Sequence, residues 1–316
     1  MNLMDVVKKK AKAKLRKIVL TDDHETAIEG AKLAEKEGIA KVIIVSEKKV
    51  KGVETVNPKT YKDSEKFAQA LYELRKNKGM TIEEARKLVK DQVYFGLMML
   101  QQGIADGEIG GTMHNTAEHM GPAFRVIGKK KDVLTVSGIL ILIYKGKLWI
   151  LSDTDFNIMP NEEELAQIAI NAADFAKAVG IEPRVAMLSH STKGSSKHEC
   201  VDKVIKATEI VKKKMPKLAI DGELQLDSAI NPRVAKIKCP DSPLKGDANV
   251  LIFPDLPSSN IACKFADEIA ELSGEKMEMI GSVAWGMAKP VVNGGKGFNA
   301  RQIADIIAFC AMQANR

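Results

Sequence analysis

The chain has 316 residues, 45% hydrophobic and 5% aromatic, with 48 lysines and arginines against 41 aspartates and glutamates, a net charge of +7. That length allows one large domain or two medium ones, and so few aromatics argue against a base-stacking platform for single-stranded nucleic acid. Basic runs at 8–16, 48–51, 129–131 and 212–214 read either as solvated helix faces or as a field that draws in an anionic ligand. No helix-turn-helix, zinc-finger or RNA-recognition signature accompanies them, so no nucleic-acid partner is expected.

In chain order, Ile18-Val19-Leu20 reads as a short buried strand, with Thr21-Asp22-Asp23 able to cap the helix that follows and Gly38 to end it. Val42–Val45 is the next strand, which makes a βαβ unit with a right-handed crossover and parallel pairing. Residues 63–102 read as consecutive helices, with Thr81-Ile82-Glu83-Glu84 as a capping box between two of them. The apolar stretch 133–151 approaches membrane-spanning length, but Lys145-Gly146-Lys147 breaks it into a hairpin, 138–144 with 148–151. A helix at 162–179, a strand at 184–188, a helix at 201–214, strands at 218–220 and 249–253, a helix at 260–272, an apolar run at 280–284 and a terminal helix at 301–312 continue the rhythm. Short strands alternating with longer helices predict an α/β fold with doubly wound, mostly parallel sheets. Cys200, Cys239, Cys263 and Cys310 form no CxxC pair, and the basic amino terminus lacks the apolar segment of a secretion signal. Both features lead us to expect reduced thiols in a cytoplasmic protein with no membrane span.

Ligands of parallel sheets bind beyond the carboxyl ends of the strands, and three segments fall at such places. Ser189-His190-Ser191-Thr192-Lys193-Gly194-Ser195-Ser196 follows the strand at 184–188 and offers hydroxyls, a cation and a flexible glycine. It reads equally as an anion cradle or as a polar connector whose hydroxyls cap. Gly110-Gly111-Thr112-Met113-His114-Asn115-Thr116 enters a helix, and its His114 is either a general base or a loop-holding histidine. Asn293-Gly294-Gly295-Lys296-Gly297 reads as a tight turn or a nest of N–H groups. No HExxH, GxSxG or cysteine metal cluster occurs.

Leu188-Ser189-His190-Ser191-Thr192-Lys193-Gly194-Ser195, Asp221-Gly222-Glu223-Leu224-Gln225-Leu226-Asp227 and 246–256 resemble, in order, the L-S-[FY]-S-T-K-G-S, D-G-E-L-Q-x-D and G-K-A-N-V-F-I-F-P-D-L segments of the phosphate acetyltransferase/phosphate butyryltransferase family. Tyr72–Gly79 and Ala105-Asp106-Gly107 are similar to it as well. The resemblance implies two α/β domains with an interdomain cleft, the first discontinuous at 1–137 plus 289–316 and the second at 138–288, usually as a homodimer. It implies reversible acyl transfer between CoA and phosphate, with acyl-CoA and phosphate or acyl phosphate as partners and no metal or organic cofactor. In that family an aspartate deprotonates the CoA thiol, arginines bind phosphate and CoA groups, and a serine with its neighbouring arginine stabilises the tetrahedral transition state. A thiolate is the competent nucleophile and a developing oxyanion needs fixed donors, so the division is chemically sound.

Arg75 matches a family arginine, but the arginine of T-L-R-P falls on Gly121, and N-D-L-S-R-G becomes Val292-Asn293-Gly294-Gly295-Lys296-Gly297. The serine is therefore Gly295, the arginine Lys296, and the aspartate seven positions further on is Gln302. Arg125, one helical turn beyond Gly121, is placed to return a guanidinium, Lys296 keeps a positive charge, and His114 or His190 offers a base. With Thr116, Ser189, Ser191, Thr192, Lys193, Gly194 and Ser195 these form the candidate binding set. Three readings stay open: a working phosphate acyltransferase, a non-catalytic binder of CoA esters, and an acyltransferase with another acceptor. The expected arrangement sets the 189–196 and 293–297 turns across one groove from each other.

Overall fold

The computed structural model describes residues 3–113 and 115–316. The first elements are α1 (Leu3–Ala11), β1 (Lys17–Leu20), α2 (Glu25–Lys36), β2 (Lys41–Val45), β3 (Glu54–Val56), α3 (Ser64–Arg75), α4 (Ile82–Leu88), α5 (Gln92–Gln101), β4 (Gly107–Gly110) and α6 (Thr116–Val126). Then come β5 (Ser137–Tyr144), β6 (Lys147–Ser152), α7 (Glu162–Ala178), β7 (Arg184–Leu188), α8 (Glu199–Lys214), β8 (Ala219–Leu224), α9 (Leu226–Ile230), α10 (Pro232–Lys238) and β9 (Val250–Ile252). The chain closes with α11 (Leu256–Ser273), β10 (Met277–Trp285), β11 (Val291–Asn293) and α12 (Ala300–Ala314). It divides into two compact units, Met1–Lys130 with Met287–Arg316, and Lys131–Gly286.

In the first unit β3, β2, β1, β4 and β11 form consecutive, wholly parallel neighbours. Apart from Val56 on the edge strand β3, their apolar residues are buried on both faces, as a sheet covered by helices on each side requires. Leu20 pairs with Ile109, which pairs with Val292, so β1, β4 and β11 end level with one another. Gly30 on α2 lets that helix approach α12 closely; a Cβ there would lie 2.6 Å from Ile303. Thr81 and Glu84 form the expected capping box. The residues Thr21-Asp22-Asp23 do not cap α2, however. His24 holds the N-cap position and makes no side-chain cap bond, because the Asp22 carboxylate is engaged elsewhere.

The second unit orders its strands β10-β5-β6-β9-β7-β8. Here β6, β9, β7 and β8 run parallel, while the β5–β6 hairpin and β10 pair antiparallel. Strand β8 runs further than its apolar start suggests, through Asp221, Gly222 and Glu223, because side chains of the 189–196 loop satisfy those carboxylates. Among the described residues no helix is long and apolar enough to cross a membrane.

Candidate active site

Three loops leave the level carboxyl ends of β1, β4 and β11, with described residues 21–24, 111–113 and 294–299. Beneath them lies a buried polar cluster. Glu108 on β4 and His119 on α6 are both fully buried. His119 Nε2 lies 2.9 and 3.0 Å from the two Glu108 carboxylate oxygens, and Nδ1 lies 2.9 Å from Asn293 Oδ1. Asn293 Nδ2 donates to Thr116 Oγ1, 3.3 Å away, and Thr21 Oγ1 donates to Glu108 at 3.2 Å. Both imidazole nitrogens therefore face acceptors, which the doubly protonated ring alone satisfies. Burial works to depress the basicity of His119, but the Glu108 charge and hydrogen bonds outweigh it and hold the imidazole above its ordinary value.

The glycines of this region serve close approach. A Cβ on Gly110 would lie 2.3 Å from Thr21 Oγ1 and 2.7 Å from the His119 ring, and one on Gly111, whose φ is +85°, would lie 2.3 Å from Asn293 Oδ1. Only glycine lets these side chains close over the strand ends.

Above the cluster, Asp22 Oδ2 accepts from the Thr112 N–H at 2.8 Å and the Thr112 hydroxyl at 2.6 Å. Thr112 Oγ1 is in turn 2.8 Å from His24 Nε2. Asp22 is buried, and its second oxygen has no hydrogen-bond partner among the described residues.

Arg75 and Arg125 come together. With Lys78, Lys87, Glu84, Gly79, Met80 and Leu88 they line a cavity of about 560 Å³ within the first unit. Arg125 Nη1 donates to the hydroxyl of the buried Tyr94 at 3.1 Å, which fixes its direction. Among the described residues no side-chain hydrogen bond or ion pair engages Arg75, Lys78 or Lys87. Glu84 is the one acid in the lining, and its carboxylate is engaged by the Thr81 N–H. The apolar Met80 and Leu88 complete a lining suited to an anion with an organic body. Gly121 lies one turn before Arg125 on α6, and a Cβ there would meet nothing within 4 Å.

Gly295 and Lys296 sit in the turn after β11. The Phe298 ring covers Gly295, 2.3 Å from where a Cβ would be, and Lys296 is exposed. Gln302 forms a capping box with Asn299: its N–H donates to Asn299 Oδ1 at 3.0 Å, and its Oε1 accepts from the Asn299 N–H at 3.0 Å. That amide orders the start of α12. Thr116 is the first residue of α6, and His114 lies outside the described residues.

In the second unit the 189–196 loop folds onto β8. The buried Ser191 hydroxyl donates to Glu223 Oε1 at 3.0 Å, and the Gly194 N–H donates to the same oxygen at 2.7 Å. Lys193 pairs with Asp221, while Thr192 Oγ1 accepts from the Gln225 N–H at 2.9 Å. Burial pushes Asp221 up, but Lys193 and Ser242 outweigh it and hold the carboxyl below its usual range. An internal carboxylate thus already occupies the donors read from sequence as an anion cradle. Ser195 and Lys193 stay exposed, Ser189 is half-buried, and His190 Nε2 lies 3.2 Å from Ser196 Oγ.

Sequence reasoning passed over Lys78, Lys87, Glu108, His119 and the Asp22–His24 pair. Only the last carried a local signal, a polar Thr-Asp-Asp-His run directly after a buried parallel strand.

Cations around a cavity, in an α/β protein whose polar loops leave parallel strand ends, present donors of the kind an anion accepts. A family model described as phosphate acetyl/butaryl transferase matches residues 2–311. A phosphate acetyltransferase from Thermoanaerobacterium thermosaccharolyticum is 41% identical, across 99% of this chain and 100% of the relative. Another, from Bacillus subtilis, is 38% identical across 99% of each. A solved phosphotransacetylase from Streptococcus pyogenes superposes with a TM-score of 0.91 at 36% identity, over 99% of this chain and 98% of its own. The chain belongs to the phosphate acetyl/butaryl transferase family.

Proposed function

We propose that this protein catalyses reversible transfer of an acetyl or other short acyl group between CoA and phosphate, with the CoA ester as substrate rather than resident cofactor. The cavity holding Arg75, Lys78, Lys87 and Arg125 carries the reading. Phosphate groups of CoA are multiply charged, and two guanidiniums with two ammonium groups supply matching donors. In this reading Lys296 supplies the positive charge at the acyl group, without the bidentate fork of an arginine.

Loss of the thioester absorbance of acetyl-, propionyl- and butyryl-CoA, followed with and without phosphate, tests the function. Phosphate-dependent loss supports it, loss independent of phosphate points to another acceptor, and CoA binding without loss points to a binding protein. Replacing Arg75 and Arg125 by alanine should raise the KM for CoA at least tenfold; an unchanged KM removes the cavity from the account.

The protein is also proposed to form a homodimer. Ile261, Phe265, Ile269 and Leu272 stand 48–81% exposed on α11. Their spacing of four, four and three residues puts them on one face, and a contiguous apolar row of that kind marks an interaction surface.

A further inference from the structure

We propose that His24 is the general base that takes the proton of the CoA thiol, a role that rests on the acyl-transfer reading above. The hydrogen-bond directions around Thr112 assign the atoms. Asp22 Oδ2 accepts both the Thr112 N–H and the Thr112 hydroxyl proton, so that hydroxyl has only lone pairs left for His24. His24 Nε2, 2.8 Å away, must therefore carry the hydrogen, which leaves the lone pair of the neutral ring at Nδ1. No described residue donates to or accepts from Nδ1. A buried carboxylate, a bridging hydroxyl and a half-buried imidazole thus form a relay that fixes both tautomer and ring direction.

Its location fits the chemistry. His24 follows β1 at the level strand ends, and a Cβ on Gly294 would lie 2.4 Å from Thr112 Cγ2. The turn that carries Lys296 consequently packs on the same threonine that holds His24. Base and cation share one support. The position of the family aspartate cannot supply the base here, because Gln302 has no titratable group and its amide closes the cap of α12.

The step balances without any further reactant. Nδ1 takes the S–H proton, and the sulfur adds to the carbonyl carbon of the acyl phosphate. The C–S bond then forms fully as the C–O bond to phosphate breaks, and phosphate leaves with the electron pair. In reverse, the imidazolium returns its proton to the departing thiolate.

The test compares His24→Gln and His24→Ala with the unaltered protein. His24 makes no side-chain cap bond to α2, so both variants should fold. Gln can keep a donor on Thr112 while losing the base, so kcat should fall about 10²–10⁴-fold with the KM for CoA changed less than threefold. Added imidazole should restore part of the His24→Ala rate, which a loosened loop would not permit. Nitrogen NMR of the imidazole should show hydrogen on Nε2 and a bare Nδ1. A His24→Gln kcat within threefold of the unaltered protein, a missing imidazole rescue, or hydrogen on Nδ1 overturns the assignment while leaving acyl transfer standing. An unaltered protein that consumes no thioester with phosphate removes the reaction, and the base with it.

Discussion

Glu108→Gln isolates the energetics of the cluster beneath the site. The amide keeps the shape of the carboxylate, so no cavity forms and Thr21 retains an acceptor. What disappears is the charge opposite His119, in a place where both residues are wholly shielded from water. An imidazolium left unpaired there must lose its proton, and its Nε2 can then only accept from the new amide N–H. Removing one member of a buried pair costs about 3–5 kcal/mol, and retention of the polar shape puts Glu108→Gln near the lower end. The pH dependence carries the same signature. His119 is held above its ordinary 6.5, so its contribution is fully present below that value and is lost as pH rises through the higher folded-state value. The unaltered protein should therefore weaken on the alkaline side, and Glu108→Gln should lack that slope. Both tryptophans, Trp149 and Trp285, lie in the second unit, so fluorescence reports the wrong part. Native-state hydrogen exchange of the β4 amides between pH 6 and pH 9, both about 2 units or less from neutrality, reads the first unit directly. A loss below about 0.5 kcal/mol, or an unchanged alkaline slope, would show that the pair is not charged as described.

Gly121→Arg should fold with stability changed by less than about 0.5 kcal/mol, since its Cβ enters open space, whereas Gly295→Ser should lose about 1–3 kcal/mol unless Phe298 turns away; urea titrations of both variants check the contrast. Glu37, tied to Arg301 and Lys8, titrates at about 2 rather than 4.5. Its stabilisation is present above about pH 4.5 and is lost as pH falls through about 2. That is on the order of 3 kcal/mol at most, reduced to about 1–2 kcal/mol by partial exposure, so Glu37→Gln should flatten this acid limb in circular dichroism. Phe265→Glu on α11 should convert a dimer to a monomer in analytical ultracentrifugation, and a protein that is monomeric before the change would contradict the dimer.

Much of the fold was legible because its signals are local. Ile18-Val19-Leu20, Val42–Val45 and Arg184–Leu188 are short apolar runs between helical segments, and Thr81 with Glu84 announces a helix start within four residues. Strands β3 and β11, three residues each, carry too little pattern to be seen. The polar end of β8 was lost for another reason, since Asp221 and Glu223 become strand residues only once Lys193 and Ser191 meet them. Long-range pairing also hid the cluster: Glu108 and His119 are joined to Asn293, 174 positions beyond His119. Local propensity reads Thr21-Asp22-Asp23 as helix caps, and only the approach of Thr112 from the next loop redirects Asp22.

Phosphorus NMR of the protein mixed with acetyl-CoA and inorganic phosphate tests acyl transfer most directly. A new acetyl phosphate resonance that grows as free CoA appears, and that reverses when CoA is added in excess, is the expected result. Phosphate that stays a single unchanged signal while acetyl-CoA remains bound and intact would contradict it.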